Sequence, residues 1–107
     1  MATMANLPHP ERADLNLTSV LFALSDPERL EIVRQLRSGP MDMAECSLSV
    51  PDMPKSTKSH LMKVLREAGV IRNEANGRGR RLILRSDDLE ERFPGLLLAV
   101  VGASVGD

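Results

Sequence analysis

Aromatic side chains are nearly missing. Among 107 residues there are two phenylalanines, Phe22 and Phe93, and no tryptophan or tyrosine. The core must then be built from Leu, Val, Ile, Ala and Met, a composition better suited to helices packed on helices than to a sandwich of sheets. Cysteine occurs once, at Cys46, which excludes an intramolecular disulfide framework. No apolar run follows a basic start, so no secretion signal is expected and a cytoplasmic location is the default. The longest apolar run, Leu96 to Val101, is far shorter than the roughly 20 residues that cross a bilayer, and no membrane span is expected. There is no internal repeat, and the length supports one domain with a modest core.

Net charge is small as well, at −1, but it is unevenly distributed. Residues 55–85 hold nine cations (Lys55, Lys58, Lys63, Arg66, Arg72, Arg78, Arg80, Arg81 and Arg85) against two anions, Glu67 and Glu74, a local balance of +7 that leaves −8 for the rest. A chain sorted this way offers one positive surface to a polyanion and keeps the remainder acidic.

Within that stretch the spacing predicts a helix over 54–68. Pro54 suits the first helical position and Gly69 the left-handed residue just past the end. Thr57, Leu61, Val64, Leu65 and Ala68 fall on one stripe at helical spacing, the pattern of a buried face. The opposite arc holds Lys55, Ser56, Ser59, Lys63 and Arg66, with His60 and Met62 on its flanks. Short hydroxyls between long cations let a backbone approach closely in a groove while the cations reach phosphates on either side, as a recognition helix does. Two strand-like runs follow, Val70 to Ala75 and Arg80 to Arg85, turned by Asn76-Gly-Arg-Gly79. Asn-Gly is a strong hairpin signal. A helix followed by a basic hairpin, the wing over 70–85, predicts a mainly α (α+β) winged helix-turn-helix.

Elsewhere, residues 1–10 read as a flexible tail whose last residues could pack on a neighbouring subunit, and 11–103 as the single domain. A helix is expected from Glu11 to Leu24, with Leu17, Val20, Leu21 and Leu24 on its apolar face and Phe22 to one side. Asp26 then caps a helix with Pro27 and Glu28 in its first turn and Leu30, Ile32, Val33 and Leu36 turned inward, ended by Gly39-Pro40. One short helix is expected near 42–48, then a loop through 49–52. Asp87 followed by Glu90 suggests a capping box for a helix over 89–101, interrupted at Phe93-Pro94. Its Leu96, Leu97, Val100 and Val101 are too apolar for solvent.

The run Leu24-Ser-Asp-Pro-Glu-Arg-Leu-Glu-Ile-Val-Arg-Gln-Leu36, then Lys55-Ser-Thr-Lys-Ser-His-Leu-Met-Lys-Val-Leu-Arg-Glu-Ala-Gly-Val-Ile71, then Gly77-Arg-Gly-Arg80, resembles the ArsR/SmtB winged-helix repressors over roughly residues 17–101. The resemblance implies a homodimer paired through its first and last helices, here the Leu17, Val20, Leu21, Leu24 face and the Leu96, Leu97, Val100, Val101 face. It also implies binding to double-stranded DNA at an operator near the regulated genes. Ser56, Thr57, Ser59 and His60 would then read DNA, with Lys55, Lys58, Lys63, Arg66 and the wing residues Arg78, Arg80 and Arg81 on flanking phosphates.

Where metal sensors of that family carry Cys-x-Cys, this chain has Met41-Asp-Met-Ala-Glu-Cys46, and no histidine follows His60. One thiolate makes no closed soft-metal site, since such sites use three or four Cys or His ligands. No metal and no cofactor is expected, and the inducer, a small molecule or a redox signal, stays open. Cys46 reads first as a packing residue. Redox sensing, or a metal shared across the dimer with Asp42, Glu45 or His9, are its other readings. Met41, Met43, Met53 and Met62 read as packing or loop residues. His60 either bonds a phosphate or base or braces the helix. A rival reading keeps the winged helix as a protein-interaction module. An enzyme is disfavoured: there is no phosphate-binding glycine loop, and His60 has no nucleophile or orienting carboxylate at helical spacing.

Overall fold

The computed structural model describes residues 7–46 and 53–105. Its helices are α1 (Leu17–Ala23), α2 (Pro27–Leu36), α3 (Lys55–Glu67), α4 (Ser86–Arg92) and α5 (Leu96–Val105). Its strands are β1 (Met41–Asp42), β2 (Ile71–Asn76) and β3 (Gly79–Leu84), ordered β1-β3-β2 and antiparallel throughout. The helix expected from Glu11 to Leu24 is broken: a 3-10 turn spans Arg12–Asp14, and Leu15 and Asn16 are extended before α1 begins. Asn16 Oδ1 accepts the Ser19 amide at 3.0 Å. An Asn that would compete with the backbone inside a helix thus serves at its start, where orphan amides need acceptors.

α2 follows its sequence signals closely. Asp26 Oδ2 accepts the amides of Glu28 at 2.9 Å and Arg29 at 3.1 Å, and Pro27 stands in the first turn. Arg29 is itself buried and turns back to α1. Its Nε donates to Ala23 O at 2.7 Å and its Nη2 to Phe22 O at 3.1 Å, so one guanidinium satisfies two of the last carbonyls of α1. The short helix expected near 42–48 is instead β1 followed by a 3-10 turn over Met43–Glu45 and an extended Cys46, and 47–48 lie outside the described residues.

α3 ends in a Schellman motif: Gly69 has φ +85°, its amide donates to Arg66 O at 3.0 Å, and the Val70 amide donates to Leu65 O at 2.9 Å. Pro54 precedes the helix as its N-cap rather than opening it. The hairpin also differs in register from the expected turn, because Asn76 pairs with Gly79 and the loop is Gly77-Arg78 alone. Only Gly77 has positive φ, +61°, which fits a type II′ turn with glycine at its first central position. The capping box foreseen at Asp87 does not form. α4 starts at Ser86 without a side-chain cap, and Glu90 Oε1 accepts the Gly95 amide at 3.2 Å, at the break where Gly95 has φ +82°.

One core joins these elements. Val20, Ile32, Val33, Met62, Leu65, Val70, Ile71, Leu82, Leu89 and Val101 are all buried, each worth about 1.5–3 kcal/mol relative to exposure. Met62, read from the sequence as flanking the exposed arc of α3, belongs to this core; Thr57, assigned to the buried stripe, is exposed. Packing α3 against α1, α2 and β2 fixes which side it turns outward and sets the hairpin beside it.

Candidate nucleic-acid interface

The outward side of α3 is concentrated in its first half. Lys55, Ser56, Thr57, Ser59 and His60 are exposed, and Lys63 follows one turn later. At 1.5 Å per residue the 13-residue helix is about 20 Å long, and a helix of this diameter enters the major groove of B-DNA, roughly 12 Å wide. Among the described residues no side chain caps its N-terminus, and the dipole there favours an anion.

Not every predicted cation joins this surface. Arg66 is 8% exposed and donates Nη1 to Pro8 O at 2.6 Å. Lys58 is half-buried, its Nζ donating to Met43 O at 3.0 Å and Cys46 O at 3.4 Å, where it fastens α3 to the preceding 3-10 turn. On the wing, Arg80 donates Nε to Asn73 Oδ1 at 2.8 Å and Nη2 to Asn73 O at 2.7 Å. Arg81 is exposed, but its cross-strand neighbours are Glu74 on one side and Asp42 on the other. Arg72 pairs with Glu74 at 2.8 Å. Arg85 is buried, with Asp88 and Pro10 O as acceptors. Arg78 stands at the hairpin tip, exposed and with no protein acceptor among the described residues. Among the described residues, the cations of the stretch without a protein partner are therefore Lys55 and Lys63 on α3, and Arg78 and Arg81 on the wing.

Asn73 was not singled out in the sequence, yet it organises the wing. It shares a face with Ile71 and is 6% exposed. A polar residue two positions from a core residue in a strand faces the same way and must find partners, and that was the available signal. His9, offered by the sequence only as one partner of Cys46 in a metal shared across the dimer, is bonded elsewhere. Its Nε2 accepts the Asn73 amide at 3.0 Å, so residues 7–10, expected to fray, are bonded to their own subunit at the base of the hairpin. Burial first, then Arg72, Arg66 and Arg85, hold the His9 pKa below its usual 6.5, with Glu74 opposing.

Cys46 is 5% exposed and part of the core. Burial pushes its thiol up, and Lys58 only partly offsets this, which favours the neutral, unreactive form. Nearby, Asp42 Oδ1 accepts from Asn76 Nδ2 at 2.9 Å and Glu45 Oε1 from the Asp42 amide at 3.1 Å. Among the described residues no three His, Cys, Asp or Glu side chains group as metal ligands.

A second surface is apolar. Leu17, Leu21 and Phe22 on α1 and Leu98 on α5 are 45–65% exposed, with Leu96, Leu97 and Val100 half-buried beside Leu98 on its helix. Val20, Leu24 and Val101, assigned to pairing in the sequence reading, are buried within the subunit. Phe22 on α1 and Leu98 on α5 are exposed instead.

Comparisons with known proteins agree with this geometry. The family described as "Bacterial regulatory protein, arsR family" matches residues 26–73, from the cap of α2 through α3 into β2. The HTH-type transcriptional regulator NmtR of Mycobacterium tuberculosis is 35% identical over 71 residues, covering 66% of this chain but 58% of NmtR, less than two thirds of that relative's length. The uncharacterized HTH-type transcriptional regulator YceK of Bacillus subtilis is 30% identical over 89 residues, 81% of this chain and 89% of YceK. The crystal structure of the transcriptional repressor BigR from Xylella fastidiosa superposes with a TM-score of 0.56 at 25% identity, over 72% of this chain and 85% of BigR. With a basic helix presented beside an arginine-tipped hairpin, and relatives matched across that whole unit, this chain belongs to the arsR family as a winged-helix, DNA-binding transcriptional regulator rather than an enzyme.

Proposed function

We propose that two copies of this chain pair through α1 and α5, occupy an operator with twofold-related half-sites near the genes they control, and repress them until a signal releases the DNA. The observation that carries this reading is the single exposed face of α3, where Ser56, Thr57, Ser59 and His60 lie between Lys55 and Lys63 with Arg78 on the adjoining wing. Short side chains bring the helix close to base edges, and the cations reach backbone phosphates. Pairing is favoured by Leu17, Leu21, Phe22 and Leu98, large apolar side chains left in water by the subunit alone. Repression is favoured by the likeness to BigR, a transcriptional repressor.

The test is selection of random duplex DNA on the purified protein at near-physiological salt. An enriched inverted repeat is expected. Recovery of no preferred sequence sinks the operator reading and leaves a protein-interaction module. Replacing Ser59 and His60 with alanine together should lower operator affinity by about tenfold or more and relax selectivity at the bases they meet. Unchanged selectivity in a folded variant would remove α3 as the reading element.

A further inference from the structure

Residues 7–10 lie across the base of the hairpin and meet it at three points. Pro8 O accepts from Arg66, Pro10 O accepts from Arg85 Nη1 at 2.8 Å, and His9 Nε2 accepts from the Asn73 amide. β2 is an edge strand, so His9 satisfies a backbone donor that the sheet leaves unpaired. Asn73 in turn grips Arg80 through both its side-chain and its backbone oxygen. A continuous path therefore runs from His9, through a buried asparagine, to an arginine of the wing.

The bond to Asn73 requires a lone pair on Nε2, and hence a neutral imidazole. A proton there would set donor against donor. It would also add a cation facing Arg66 on α3, Arg72 on β2 and Arg85 at the start of α4, with Glu74 the carboxylate that acts against them. The groove beside the ring, about 870 Å³, is lined also by Glu11, Arg12, Asp88, Glu91 and Arg92 and opens the site to water. The docked state binds fewer protons than the undocked one. Docking is thus complete above the ordinary histidine value of 6.5 and weakens as pH falls through and below it. Undocking also removes the carbonyl acceptors of Arg66 and Arg85, two guanidiniums that the fold otherwise buries.

We propose that His9 is a positioning residue for the wing: through Asn73 it fixes Arg80, and protonation of its imidazole releases that grip, so that operator affinity falls in mild acid. This rests on the DNA-binding reading above, and the experiment separates the two.

The chain contains two histidines, so His60→Asn leaves His9 as its single imidazole. In that background the backbone amide of Asn73 is followed by NMR in the free protein from about pH 8 to about pH 5.5, while operator affinity, which His60 is placed to serve, is measured in the chain that keeps His60, at fixed salt over the same range. The Asn73 amide and the Arg80 Nε resonance are expected to move together with a midpoint below 6.5, and affinity to fall about fivefold or more. Adding His9→Gln supplies an amide oxygen that accepts the bond and does not titrate. In either chain that variant should match its parent at high pH, its Asn73 amide should not titrate, and its affinity should fall less in acid than the parent's. A His9→Gln profile as steep as the parent's, or an Asn73 amide unmoved by pH in the parent, overturns the proposal. A protein that selects no operator sinks the DNA reading and the affinity half of this one, while the Asn73 titration still decides whether His9 governs the wing.

Discussion

At the scale of single residues, Gly69 is the position with the least freedom to change. It sits at φ +85°, and a Cβ built there would lie 2.0 Å from Leu15 Cδ2 and 3.2 Å from Pro10 Cγ. Gly69→Ala combines a left-handed backbone with a clash against the segment that leads into α1. The expected cost is about 2 kcal/mol, or a fall of roughly 10 °C in Tm by calorimetry. A Tm within 2 °C of the parent, on the order of the measurement's scatter, would show that Leu15 moves aside freely. Arg78 is the opposite case, a residue the fold does not use. Arg78→Ala should leave Tm unchanged and lower the slope of log affinity against log salt by about 2 for a dimer, at roughly 0.9 per phosphate contact. An unchanged slope would mean that the hairpin tip does not touch the backbone.

Whole elements depend on ion pairs that reach across the chain. Asp88 on α4 accepts from Arg12 Nε at 2.7 Å and Arg85 Nε at 2.9 Å. These bonds, the one from Arg12 foremost, hold its carboxyl below the usual 3.8 despite burial. A depressed carboxylate contributes stability above its unfolded value and loses it as pH falls through the folded one. Asp88→Asn should therefore cost about 1–2 kcal/mol at neutral pH, discounted for its contact with solvent. The difference from the parent should close as the pH falls below the usual 3.8 and through the depressed folded value in acid unfolding curves. A gap that persists there would assign the loss to packing instead. The same pairs mark where sequence reading stops. α2, α3 and the hairpin were legible because their signals are local: Asp26-Pro27, Gly69, Asn76-Gly77 and an apolar stripe. Arg66 and Arg85 looked like surface cations because their acceptors, Pro8 O and Pro10 O, lie 58 and 75 residues away. β1 has only two residues and forms because β3 offers it an edge. No periodicity exists at that length.

For the whole molecule, the two surfaces have different chemistries, one basic and one apolar. Leu21 is 45% exposed on α1, so a charge placed there need not disturb the subunit. Leu21→Asp should leave a folded monomer by sedimentation and lower operator affinity by about a hundredfold or more, since two linked half-site contacts become independent. A variant that stays dimeric would move pairing off α1. Phe22, 62% exposed on the same helix with the Arg29 guanidinium 5.1 Å from its ring centre, has a consequence of another kind. A chain without tryptophan or tyrosine is almost silent in ultraviolet fluorescence. Phe22→Trp would therefore give the molecule one emitting centre on a dark background, with a colour that reports whether that ring is in water or covered, read at concentrations too low for scattering or sedimentation.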